Sequence, residues 1–209
     1  MDGERIGKCK RVLSNGSSTE EFVLYLRDES GNVLSEFKAM QCPASGITEA
    51  TPVFTWEKDY YYFGGRLTAS EEEDVNNCTE NGVETDIYFY HSDHLGSPRV
   101  ITYLNKPIES DDYGLVRSFH VYWAYGEEIT EQMQDDGTHR YTGHERDFES
   151  GLDYMHARYY SPMMGRFLSV DPVRKSDLEK PMLWNRYVYG ANNPVRYTDK
   201  TGKQATDML

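Results

Sequence analysis

The 209-residue sequence predicts an all-β, mainly antiparallel fold of stacked hairpins. Three observations lead there. Short runs rich in aromatic and β-branched residues recur between turn residues. No long 3.6-residue apolar period runs through the chain. A Tyr-x-x-Asp-x-x-Gly spacing occurs at Tyr25, Asp28 and Gly31 and again at Tyr90, Asp93 and Gly96, with a version one residue shorter at Tyr197, Asp199 and Gly202. In such a unit Tyr ends a strand and packs its ring. Asp caps the turn by accepting backbone N–H groups, and Gly supplies the positive φ. Repeated hairpins of this kind stack into extended sheets.

The elements follow in order. Phe22–Asp28 and Val33–Phe37 make a hairpin, and residues 40–52, with Pro43, Gly46 and Pro52, make a loop. Asp59–Phe63 is a strand stopped by Gly64-Gly65, after which Arg66–Ala69 returns. Residues 70–82 carry Glu71–Asp74 and Asn76-Asn77, and predict a solvated loop. Asp86–His91 and Arg99–Tyr103 pair around the turn His94–Pro98. Residues 105–117 and 130–138 read as polar loops, and Phe119–Tyr125 as a strand ended by Gly126. Arg140–Thr142 and Leu152–Tyr160 are strands around a Gly143–Gly151 turn region. One short helix is expected around Leu183–Tyr189.

Charge excludes some functions. With 22 Lys+Arg against 35 Asp+Glu the net charge is −13, a poor match for phosphate backbones or anionic lipid, so nucleic-acid binding is not expected as the main function. Apolar residues make up 38%, below the usual range, yet 17 tyrosines lift the aromatic content to 13%, unlike a disordered chain. No apolar run reaches the length of about 18 that a membrane helix needs. Met1–Lys8 has no apolar signal-peptide core, so no export signal is expected in the sequence as it stands. Cys9, Cys42 and Cys78 are odd in number and form no C-x-x-C, which predicts free thiols and no zinc site.

A family resemblance rests on a longer set of motifs. Tyr90–Arg99, Tyr125-Gly126-Glu127, Tyr141–Asp147, Gly151–Tyr154, Ala157–Pro162, Gly165–Pro172 and Asn185–Pro194 together resemble the core associated with RHS repeats, covering roughly residues 86–202. Residues 1–85, with Tyr62–Gly65, resemble the last YD-repeat hairpins before that core, and 203–209 is a short tail. The resemblance implies a spiralling β shell whose C-terminal core closes it, built to enclose or present a toxin. Here only Lys203–Leu209 follow the motif, which reads as a truncated or orphan tip. It implies an upstream RHS/YD-repeat shell or another RHS subunit as partner, and an association with secreted or cell-surface bacterial proteins. No cofactor and no metal are implied.

The family also carries a self-cleaving aspartyl peptidase, whose motif residues fall on Arg158, Asp171 and Asp199. Two carboxylates sharing a site cannot both ionise easily, so one serves as acid while the other activates water. Cleavage would fall near Gly202–Gln204. The sequence departs from the pattern at Lys200, where the family has Pro, and at Lys203, where it has an apolar residue. A bland reading stands beside the catalytic one. Asp171 precedes Pro172 and Asp199 precedes Gly202, so both suit turn caps, and Arg158 suits a structural ion pair. Gly165, Asn193 and Pro194 are read as turn residues of the same motifs. The H-x-x-H of His91 and His94 reads as a turn around Asp93 rather than a metal site. Tyr-rich β faces also suit a glycan-binding surface, and open sheet edges predict self-association.

Overall fold

The computed structural model describes residues 5–14, 17–39, 54–79, 82–104, 113–129, 137–173, 184–203 and 205–207. Eight strands follow one another as an antiparallel meander: β1 (Gly7–Ser14), β2 (Ser17–Arg27), β3 (Val33–Ala39), β4 (Phe54–Phe63), β5 (Arg66–Thr79), β6 (Gly82–Ser92), β7 (Pro98–Leu104) and β8 (Tyr113–Phe119). A smaller sheet, β12-β11-β10-β9, comes from β9 (Glu145–Asp147), β10 (Leu152–Met155), β11 (Arg158–Ser161) and β12 (Arg166–Phe167). The pair β13 (Tyr197–Thr198) and β14 (Thr206–Asp207) lies beyond it. The all-β expectation holds. Among the described residues no helix is long and apolar enough to cross a membrane.

Among the described residues one turn geometry occurs four times, at Asp28–Asn32, Asp93–Ser97, Trp123–Glu127 and Arg140–His144. In each, the first N–H donates to the fifth carbonyl (2.8–3.0 Å) and the fourth N–H to the first carbonyl (2.8–3.0 Å). The fourth residue is always glycine with φ between 76° and 89°. The repeat is therefore wider than its Asp-bearing copies. Trp123 and Arg140 make the same turn without a carboxylate, and the shared signal is the glycine three residues on.

Two aromatic cores sit side by side. Tyr25, Val33, Tyr60, Leu67, Tyr88, Tyr90 and Ile101 pack on the large sheet. Leu95, Tyr122, Tyr141, Met155, Tyr160, Phe167 and Tyr189 fill the second core. A buried ionic cluster ties the sheets together. Glu145 accepts from Arg5 (2.5 Å) and from Arg27 (2.7 Å), while Arg5 also grips Asp147 (2.8 Å). Its guanidinium lies 4.5 Å from the Tyr154 ring centre, where planar cations stack well.

Several expectations are corrected. In the stretch 70–82, Ser70–Thr79 continue β5 and Gly82 begins β6 rather than forming a solvated loop, while 80 and 81 lie outside the described residues. Their acids have cross-strand partners: Glu71 accepts from Tyr61 (2.9 Å) and Thr85 (2.7 Å), and Glu72 pairs with Lys58 (2.5 Å). The strand expected at Phe119–Tyr125 lies earlier, as β8, and Tyr122 makes only a bridge to Glu128 across a tight turn. Arg140–Thr142 leads into a 3-10 turn, with Thr142 at φ 54°. Leu152–Tyr160 breaks at His156 (φ 50°) into β10 and β11, because two short strands can pair where one long strand would overrun the small sheet. Of the helix expected near Leu183–Tyr189, Leu183 lies outside the described residues, Trp184 is in 3-10 conformation, and Asn185–Tyr189 makes a turn, with Val188 bridging Arg166. The 105–117 loop gives way to β8 from Tyr113, while 40–53, 105–112 and 130–136 lie outside the described residues. Cys9 is disulfide-bonded, against the expected free thiol. Pairing is a property of the assembled sheet, which an odd count and wide spacing do not disclose.

Candidate functional site

The site forms where the C-terminal turn folds under the small sheet. Arg158 begins β11 and points inward, with its side chain 2% exposed. Its Nη2 lies 3.3 Å from Asp171 Oδ2 and 3.2 Å from Asp199 Oδ2. One nitrogen thus holds both carboxylates, and all three expected residues meet. Nε donates to the Gly202 carbonyl (2.5 Å) and Nη1 to the Arg186 carbonyl (3.1 Å). The guanidinium carbon sits 3.6 Å from the Phe167 ring centre. Burial pulls the Arg158 pKa below its ordinary value, and the two aspartates oppose that pull. Loss of both carboxylates would therefore leave a costly buried cation.

The remaining carboxylate oxygens are also occupied. Asp199 Oδ1 accepts the Lys203 N–H (3.0 Å), and Asp171 Oδ1 accepts the Val173 N–H (2.8 Å). The Asp199 contact is the i to i+4 cap that Asp28 makes to Asn32 (2.9 Å) and Asp93 to Ser97 (3.0 Å). In each copy Oδ1 caps the turn and Oδ2 reaches a side chain: Asn32 for Asp28, Arg99 for Asp93 and Arg158 for Asp199. Cap and cluster roles are thus carried by different oxygens of one carboxylate. The backbone closes the arrangement. Ala157 donates to the Thr201 carbonyl (3.2 Å), and a Cβ on Gly202 (φ 66°) would meet the Met155 carbonyl oxygen at 2.2 Å. Only glycine fits there.

The other expected residues take structural places. Tyr25 lies beneath Arg5 and Arg27, with guanidinium distances of 5.3 and 5.1 Å, and Tyr90 pairs its hydroxyl with Ser70 (3.1 Å). Gly31 and Gly96 have positive φ in their turns. Gly165 (φ 61°) faces the Tyr125 ring closely enough that a Cβ would lie 3.0 Å away. The Asn193 carbonyl accepts the Tyr197 N–H (3.0 Å), and Pro194 is buried beside it. His91 contacts Thr102 (3.0 Å), whereas His94 donates to the Val195 carbonyl (2.9 Å), so the two imidazoles serve separate contacts. Sequence reasoning missed Arg186 and Phe167, although both stand in the quoted motifs. Nothing in a linear motif marks which carbonyl or ring will receive Arg158.

His144 supports the same turn from the other side. Its Nε2 donates to the Lys200 carbonyl (3.2 Å) and its Nδ1 accepts from Thr142 (2.8 Å). Burial holds its pKa down at about 4, with His156 adding repulsion. The folded state therefore refuses a proton that the unfolded chain binds near pH 6.5. The stability tied to neutral His144 is present above about 6.5 and is lost as pH falls toward 4. Urea melts at about pH 7 and 4.5 should show wild type losing on the order of 2 kcal/mol more than His144→Gln. Equal losses would contradict this.

With this geometry in view, the likeness to known proteins is informative. No protein-family model matches the chain. It is 34% identical over 210 residues to tRNA3(Ser)-specific nuclease WapA of Bacillus spizizenii, covering 91% of this chain and 8% of that protein. It is 38% identical over 107 residues to Toxin subunit YenC2 of Yersinia entomophaga, covering 49% of this chain and 10% of that protein. In fold it matches the crystal structure of TcdB2-TccC3-Cdc42 with a TM-score of 0.70 and 24% identity, over 97% of this chain and 8% of that one. The chain spans under a tenth of the WapA protein, so the whole protein's activity does not transfer with the match. The chain is a relative of segments of bacterial toxin proteins and has the β-rich fold of the TcdB2-TccC3 structures.

Proposed function

We propose that this chain is the structural C-terminal core of an RHS-type β shell, with residues 1–85 as hairpins of the wall and 86–202 as the capping core. Its partner is the rest of such a shell, and its task is to hold the terminal turn under the wall. The observation that carries this reading is the saturated Arg158 cluster: each of the four oxygens of Asp171 and Asp199 faces a donor. A working aspartyl dyad needs one carboxyl that donates a proton and a water between the two acids. Here the guanidinium stands between them, which suits holding rather than turnover.

A wall segment has edges that expect neighbours. β1 and β8 are the outer strands of the eight-stranded sheet, and β8 carries Val116 and Phe119, 49% and 45% exposed. Unpaired edges of this kind recruit other strands. Light scattering after gel filtration should show the isolated chain associating as concentration rises. A monodisperse monomer at all concentrations, with a sharp cooperative melt, would contradict the wall role.

A second reading has one observation in its favour. The Gly202–Lys203 peptide is held at both ends, its carbonyl by Arg158 and its amide by Asp199. In that reading water, deprotonated by Asp171, adds to the Gly202 carbonyl carbon while Arg158 stabilises the oxyanion. The C–N bond then breaks and a protonated Asp199 supplies the proton to the Lys203 amine. Such cleavage would be abolished by Asp171→Asn and by Asp199→Asn.

A further inference from the structure

A cavity of about 400 Å³ lies between the large sheet and the segment around Arg146–Glu149, and its lining shares no residue with the Arg158 cluster. Its floor is a row of cross-strand partners, Tyr25 to Glu36 to Lys58 to Glu72, on β2, β3, β4 and β5. Four acids and four bases line it. Three of the acids have cations: Glu149 has Lys8 (2.8 Å), Glu57 has Lys38 (2.5 Å) and Glu72 has Lys58 (2.5 Å). The fourth base, Arg146, is engaged by Asp153 (2.7 Å). Glu36 is the remaining acid. It is only 8% exposed, yet among the described residues no cation lies within ion-pair distance of it. Its Oε1 accepts from the Tyr60 hydroxyl (2.8 Å), and no described donor reaches Oε2.

A buried carboxyl beyond ion-pair reach of any described cation is costly, and one facing a cavity marks a candidate binding group. Burial pushes the Glu36 carboxyl up to about 7, against the pull of the Tyr60 hydrogen bond and of Lys58. Val23 and Phe148 supply apolar wall beside it. A ligand that completes this site brings one positive charge on a short alkyl stem. We propose that the cavity binds a primary alkylammonium group, with Glu36 as its counter-ion and Val23 and Phe148 against its stem. The group comes from a small free amine or from a lysine side chain of another protein.

Titration calorimetry at pH 8, where Glu36 is ionised, tests this with n-butylammonium, Nα-acetyl-lysine amide and neutral n-butanol. Saturable binding of an ammonium probe is expected, absent for butanol and weakened at least tenfold in Glu36→Gln, which keeps the size of the side chain. Preference for the lysine amide assigns a protein lysine as the source, and preference for butylammonium a free amine. A readout on the wild type covers the case in which the variant fails to fold. Binding at pH 7 should release about half a proton, measured in two buffers of different ionisation heat. No saturable binding, equal affinity in Glu36→Gln, or binding without proton release would overturn the assignment.

Discussion

Arg146→Met is expected to destabilise the protein by about 3–5 kcal/mol at pH 8, roughly 10 °C in Tm. Asp153 is fully buried on β10, held by Arg146 Nε (2.7 Å) and Nη2 (3.1 Å). The same guanidinium donates to the Gly126 carbonyl (3.1 Å), so it ties the Trp123–Glu127 turn to the small sheet. Methionine keeps the stem and removes the charge, leaving a carboxylate with no counter-ion at zero exposure. Burial already pushes Asp153 up to about 6, and Arg146 is what restrains that rise. A folded-state pKa above the unfolded value means that protonation favours the fold. That contribution is complete below about 3.8 and is lost as pH rises through about 6. Removing Arg146 raises the folded pKa further, so the variant's deficit should shrink between pH 8 and pH 5. Urea melts at both values check this, and an equal deficit at each would count against it.

Arg158→Met should cost a similar amount, about 3–5 kcal/mol, but through a different region. Four contacts disappear together: Asp171, Asp199, and the carbonyls of Arg186 and Gly202. Asp199, with its side chain 3% exposed, is left without its guanidinium partner. Hydrogen exchange should speed up at Ala157 and Lys203, whose N–H groups donate within the clamp (3.2 and 3.0 Å). Asp199→Asn keeps an oxygen for the turn cap and should cost less. Adding it to Arg158→Met should recover part of the loss, because the uncompensated charge is then gone. Additive losses would show that the two side chains do not act as a unit.

Much of this arrangement was legible in the sequence. The hairpin at Asp28–Asn32 and its copy at Asp93–Ser97 were visible because turn chemistry is local: an Asp cap and a glycine three residues on. The meeting of Arg158, Asp171 and Asp199 was expected from motif resemblance, and the structure brings the three side chains together. Other features depended on lateral neighbours. Glu71–Asp74 looks solvated in one dimension, and only the facing strands turn that stretch into β5. His156 sits at φ 50°, a conformation that residue type alone does not announce. Glu36 was invisible for the same reason. Its neighbours Tyr25 and Lys58 lie across the sheet, and its burial comes from a segment more than a hundred residues away.

Intact mass spectrometry of the chain, held between about pH 4 and 8, tests the central claim most directly. If Arg158, Asp171 and Asp199 hold the terminal turn rather than cut it, one species carries the mass of all 209 residues throughout. Loss of Lys203–Leu209, seen in the wild type and absent from Asp171→Asn and Asp199→Asn, would contradict the holding role and assign the cluster to self-cleavage.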